Sequence, residues 1–222
     1  MKKYDSAFSS AASKVGTAAK KTVEEYVEKG LPDEPSVSVA LVTRIKDAIS
    51  GFSKGGITWS AKILSSHGPG TEEAKIGADI VGALSLKFPE YSVKKGFLAQ
   101  AKRQEPGKAL DTKEWKRLQD QCKLMLACSP ESFVFVYAMN GFYVVPAISV
   151  SACSGREDLH TLHPKTLSAF YKEHFMCFVG DKSITEATTS VLDNLLVRVA
   201  YELSASAVDE RDLFTEAPRK DA

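Results

Sequence analysis

No run of apolar residues in this chain approaches the length of a membrane span. The longest candidate, residues 133–150, is interrupted by Asn140-Gly141 and by Pro146. Lys2 and Lys3 are not followed by the apolar stretch of a secretory signal, so a cytoplasmic protein with no membrane partner is expected. Cysteine is scarce. Cys122, Cys128, Cys153 and Cys177 form no Cys-x-x-Cys pair and, even with His160 and His163, match no zinc spacing, so they read as reduced thiols. Charge of either sign is not in excess: 29 Lys and Arg against 28 Asp and Glu leave a net charge of +1. There is therefore no global basic field, and any nucleic-acid contact must rest on a localised patch. Gly51 to Gly56 do not form a phosphate-binding loop, and no Gly-x-Ser-x-Gly elbow occurs. Repeats and low-complexity tracts are also missing.

What remains is a chain of 222 residues with 44% hydrophobic content, enough for one good-sized domain with extensions. Residues 4–29 read as a helix with one apolar face (Phe8, Ala12, Val15, Ala19, Val23, Val27), ended by the break at residues 30–35. A second helix is expected over residues 38–50, and residues 57–65 suggest a third, with Trp59 and Ile63 four apart. Residues 78–88 and 93–102 read as two strands joined by a turn. Residues 112–128 read as a helix capped by Asp111 or Thr112. Residues 132–139 and 142–150 read as a hairpin turning at Asn140-Gly141. Helices are expected again over 165–175 and 185–205, the latter with Val191, Leu195, Val199 and Leu203 in register. The expected class is α/β: a mixed central sheet flanked by helices. It divides into a helical N-terminal extension (1–56), a core (57–155) and a helical C-terminal extension with a polar tail (156–222).

The residues that invite a chemical reading lie in the central strands. Asp79 opens one apolar run, after Gly77-Ala78, and Gln100-Ala101-Lys102-Arg103 closes the next. Burying a carboxylate and an ammonium is costly unless they pair or bind an ion. Gln100 and Lys102, two apart on a strand, point to the same face, and the hairpin can bring Asp79 beside Gln100. Hard divalent cations take oxygen ligands, which the Asp79 carboxylate and the Gln100 amide can supply. Lys102 can stabilise an attacking water or charge developing on a phosphate. Lys94, Lys95, Lys102, Arg103, Lys108, Lys113, Lys116, Arg117 and Lys123 concentrate basic charge over residues 87–123, as a phosphate-tracking surface would.

In the order acid, strand with Asp79, strand with Gln100 and Lys102, helix, strand, residues 57–150 resemble the PD-(D/E)xK nuclease superfamily, in its Mrr-like branch with a Gln-x-Lys third motif. The resemblance implies a restriction-endonuclease-like core and Mg²⁺-dependent hydrolysis of DNA phosphodiesters, with Mn²⁺ as a substitute. It also implies a bacterial defence or restriction setting and action as a homo-oligomer or with a regulatory partner subunit. In it Asp79, Gln100 and Lys102 would be catalytic, and Asp79 and Gln100 metal ligands. An upstream acid would complete the set; Glu73, which shares strand parity with Asp79, is the first choice and Glu72 the reserve. Arg103, Lys116, Gln119 and Lys95 would contact nucleic acid. The competing reading is a non-catalytic nucleic-acid- or protein-binding module on the same fold.

Overall fold

A computed structural model describes residues 2–66, 77–185 and 198–207. Its elements run α1 (Asp5–Val27), α2 (Glu34–Ile49), β1 (Ser53–Lys54), β2 (Ile57–Ser66), β3 (Ile80–Lys87), β4 (Ser92–Arg103), α3 (Thr112–Cys128), β5 (Ser132–Ala138), β6 (Gly141–Pro146), α4 (Ala147–Ala152), β7 (Lys165–Thr166), α5 (Leu167–Phe175) and β8 (Val199–Ala207). The strands form one eight-stranded mixed sheet in the order β1-β2-β8-β3-β4-β5-β6-β7. β3 lies parallel to β8 and antiparallel to β4, which in turn lies parallel to β5. Alternation along the strands feeds two cores. Phe97, Ala99 and Ala101 of β4 and Phe133, Phe135 and Tyr137 of β5 face α1, α2 and α5. Leu98, Val134 and Val136 face α3 and α4. The result is a three-layer α/β arrangement.

α1 buries a stripe made largely of small residues, including Ala7, Ala11, Ala12, Ala18 and Ala19, which lets it press close to its neighbours. α2 begins with a cap: the Asp33 side chain accepts from the Ser36 N–H at 2.8 Å, and Pro35 occupies the first turn. α3 spans the residues expected of it, with Asp111 as its cap. No helix among the described residues is long and apolar enough to cross a membrane. The four cysteines are free thiols.

Two helical expectations are corrected. Residues 57–66 are strand β2, and Val199–Ala207, expected as the end of a helix, form β8 in the middle of the sheet. The physical reason is the same in both. A spacing of four satisfies a helix face, but it is also an even number, so it satisfies one face of a strand. Val199, Tyr201, Leu203 and Ala205 are all buried, which is period two. Residues 186–197 of that expected helix lie outside the described residues. The expected strand over 142–150 ends at Pro146, after which the chain turns into α4. The segments assigned to terminal extensions are built into the core: α1 and α2 share its larger cluster, and β8 lies between β2 and β3.

Candidate active site

The site forms where β3 begins, β4 ends and α2 begins. Gly77 precedes β3 with φ +73°, and a Cβ there would lie 2.6 Å from the Gln121 carbonyl oxygen, so the chain enters pressed against α3 in a way only glycine allows. Asp79 follows, with its backbone held on both sides. Its N–H donates to Ala99 O at 2.9 Å, and its carbonyl accepts from the N–H groups of Arg198 and Val199, each at 3.0 Å.

The Asp79 side chain is buried, the residue being 8% exposed. Its Oδ2 accepts from the Ala101 N–H at 3.1 Å and from the Gln100 amide Nε2. Its Oδ1 lies 3.3 Å from Arg198 Nε. Burial pushes the carboxyl above the usual carboxylate range; Arg198 and the Ala101 N–H oppose this, and the negative charge of Glu34 adds to it. Gln100 and Lys102 are buried alongside. Asp79, Gln100 and Lys102 are thus brought together as expected from their places on adjacent antiparallel strands.

The second acid near them is Glu34, the first residue of α2. Its Oε1 accepts from the Arg103 N–H at 2.9 Å, and its Oε2 lies 3.8 Å from Lys102 Nζ. Two supports aim it. Ser38 donates to the Glu34 carbonyl at 2.9 Å. A serine hydroxyl has one proton, so Tyr137, 2.9 Å from Ser38 Oγ and fully buried, must be the donor in that pair. The other support is Arg103, which donates from Nε to the Tyr26 hydroxyl at 3.0 Å and from Nη1 to Pro32 O at 2.6 Å. Its guanidinium also stands 5.1 Å from the Tyr26 ring centroid. Arg103 therefore fixes the α1–α2 connection from which Glu34 projects.

Glu34 and Arg198 were missed in the sequence. Asp33-Glu34-Pro35 reads as a break, but an Asp cap followed by Pro in the first turn is also a helix start, which would have placed Glu34 on the upstream helix. Arg198 carried no signal, because the strand it precedes reads as a helix. Glu73 and Glu72, chosen as the upstream acids, lie outside the described residues.

The expected nucleic-acid contacts separate. Lys95 is a correction: it is 2% exposed, with its ammonium donating to Val179 O, so it is withdrawn from any surface a phosphate could track. Gln119 is turned to α4, donating to Val150 O at 3.3 Å and Cys153 O at 2.9 Å, where it satisfies carbonyls at that helix's end. Lys116 is exposed and paired with Asp120 one turn on, at 2.5 Å and 2.7 Å. Arg103 lies beside the site in the supporting role above.

A divalent cation fits the donor set. Asp79, Glu34 and the Gln100 amide offer hard oxygen atoms, and Mg²⁺ is commonly held by one or two carboxylates while keeping several waters. Among the described residues there is no group of three or more His, Cys, Asp or Glu that could hold a metal, hard or soft. No known protein family, curated protein or solved structure matches this chain.

Proposed function

We propose that this chain is a metal-dependent endonuclease with a restriction-endonuclease-like core of the PD-(D/E)xK type, cutting DNA in a defence or restriction setting. The observation that carries the reading is the convergence of Glu34 from α2, Asp79 from the start of β3, and Gln100 and Lys102 from the end of β4. This is an acid, an acid and a Gln-x-Lys on adjacent elements, with the lysine ammonium 3.8 Å from a carboxylate oxygen of Glu34.

In this reading Asp79 and Glu34 hold Mg²⁺, with the Gln100 amide oxygen as a neutral third ligand. The bound ion supplies Lewis acidity and a more acidic water. Gln100 fixes the Asp79 carboxylate through its amide N–H, and the Ala101 backbone holds the same oxygen. Lys102 stands in a buried setting, where its ammonium opposes the negative charge that develops on an attacked phosphate. Arg103 and Ser38 hold the start of α2 so that Glu34 stays at Lys102. Cutting both strands of a duplex takes two such sites, which calls for a second copy or a partner subunit.

One observation favours the rival, a non-catalytic binding module: both carboxylates already have protein cations or N–H groups opposite them, so the cluster is electrostatically closed without an ion. Cleavage of supercoiled plasmid with Mg²⁺ or Mn²⁺ separates the two. Metal-dependent nicking by the wild type that Asp79→Asn, Glu34→Gln and Lys102→Met each abolish is the expected result. Folded protein that binds Mn²⁺ and duplex DNA yet never nicks it would favour the rival.

A further inference from the structure

Arg198 stands where a cation would approach Asp79. One oxygen of that carboxylate, Oδ2, is occupied by the Ala101 N–H and the Gln100 amide, so the oxygen left for any further ligand is Oδ1. That oxygen faces Arg198 Nε. The contact is anchored in the backbone: the Arg198 N–H and its neighbour's both donate to the Asp79 carbonyl, so the residue that carries the guanidinium is fixed beside the acid. It is also loose. At 3.3 Å it is longer than a charge-assisted hydrogen bond of about 2.7–2.9 Å. The Arg198 side chain is 36% exposed against 11% for that of Asp79, so the arginine lies on the solvent side of the acid. On that rim it also feels the charge of Asp33, the cap of α2.

Resting on the cation-site reading above, we propose that Arg198 is the resident counter-ion of this site. It holds Asp79 Oδ1 when no divalent ion is bound, is displaced from it by the ion, and then offers its guanidinium to a phosphate of the DNA. A guanidinium and a divalent cation repel each other at one carboxylate oxygen, so the two compete for Oδ1. Once released, the guanidinium remains tethered at the mouth of the site. Its planar fork of donors suits two oxygens of one phosphate, which an ammonium cannot match. The site therefore exchanges an internal positive charge for an external one on loading, and the displaced charge becomes a substrate contact. Arg198 is a positioning residue with respect to the ion and a binding residue with respect to the phosphate.

The test is Mn²⁺ binding to the full chain without DNA, followed by electron paramagnetic resonance of the free ion. Compared are the wild type, Arg198→Gln, Arg198→Met as a second neutral variant, and Asp79→Asn. Removing a competitor raises apparent affinity by the inverse of the fraction of time the oxygen stood free, so an arginine in place about nine-tenths of the time makes both Arg198 variants bind Mn²⁺ about tenfold tighter. Asp79→Asn should lose binding. A merely structural role for Arg198 would weaken the site or leave it unchanged, and equal or weaker binding by both neutral variants overturns the proposal. If neither the wild type nor the Arg198 variants bind Mn²⁺, the cation-site reading fails, and the proposal fails with it. If the wild type binds and the variants bind no tighter, only the role of Arg198 is lost. The phosphate half is read in a Lys102→Met background, by duplex DNA affinity with Mn²⁺ present. Adding Arg198→Gln should weaken binding and reduce the slope of log affinity against log salt by about one. An unchanged slope would overturn that half.

Discussion

β4 buries two lysines, Lys95 near its start and Lys102 near its end, and they are used differently. Lys95 donates to the Val179 carbonyl, and His174 Nδ1 stands 3.0 Å from the same oxygen. Gly180 closes over the lysine stem so tightly that a Cβ there would lie 2.8 Å from Lys95 Cδ. Glu131 is near, but its carboxylate accepts from the Gly180 N–H. This end of the strand is a clasp, tying the segment after α5 to the sheet through a backbone carbonyl. Lys102 faces carboxylates carried by other elements, Glu34 from α2 and Asp79 from the start of β3. A buried lysine is thus no sign of chemistry by itself. The company of acids from separate elements, none of which needs the lysine for its secondary structure, distinguishes the second place from the first.

The comparison breaks most sharply in cleavage. Lys102→Met should lower the cleavage rate by about 10²–10³-fold, the usual cost of one preorganised donor to developing charge. Lys95→Met should leave the rate of folded protein unchanged. A plasmid-nicking time course on both variants, with folded fraction checked by circular dichroism, reads this directly. Equal loss in both would mean that the two lysines do the same work.

The pH dependence of stability differs in sign between the two ends. His174 is fully buried, and burial, with Lys95 beside it, pushes its imidazole down to about 3. The unfolded chain binds that proton at about 6.5, so between those values the unfolded state holds more protons. Stability is therefore full above about 6.5 and falls as pH drops through the window, by at most about 1.4 kcal/mol per pH unit. Asp79 works the other way. Its carboxyl is raised above the ordinary 3.8, so the folded state holds the extra proton and stability falls as pH rises through that window. Urea unfolding at a series of pH values should show His174→Gln flattening the acid slope. Asp79→Asn should gain stability relative to wild type as pH rises from about 4. A parallel shift of both curves would remove the distinction.

A smaller effect sharpens the same contrast in stability at neutral pH. Replacing a buried charge by an apolar side chain of similar length is often neutral or favourable, and the Val179 carbonyl keeps His174 as a donor. Lys95→Met should therefore raise stability by about 1 kcal/mol. Lys102→Met leaves Glu34 facing no ammonium and should lower it by a similar amount, about 1 kcal/mol. Denaturant midpoints with unchanged slopes would establish both signs.

Much of the site was legible because it is local. Asp79, Gln100 and Lys102 sit on paired neighbouring strands, where alternation and a short turn determine who meets whom. Glu34 was not, since it reaches Lys102 across 68 residues of chain and depends on where α2 starts. Arg198 was hidden by a periodicity that fits either a helix or a strand, and only the pairing of β8 with β3 places it at Asp79. α3 could be read to its ends because its cap, its apolar stripe and Ser129-Pro130 all agree. The use of Lys95 and Gln119 as internal ties could not be read, because both depend on segments that return from far along the chain.

The smallest effect concerns α3, which separates a solvated helix face from a DNA-tracking one. Lys116 is largely exposed and paired with Asp120 at i,i+4, so Lys116→Ala should change stability by less than about 0.5 kcal/mol. On stability alone the residue is nearly silent. Its contribution to DNA binding is separable, because a lysine that neutralises one phosphate adds about one to the slope of log affinity against log salt. If α3 lies along the duplex, Lys116→Ala should lower that slope by about one and weaken all duplexes alike, whatever their sequence. An unchanged slope would take α3 off the interface and leave the DNA to be held from the rim at Arg198.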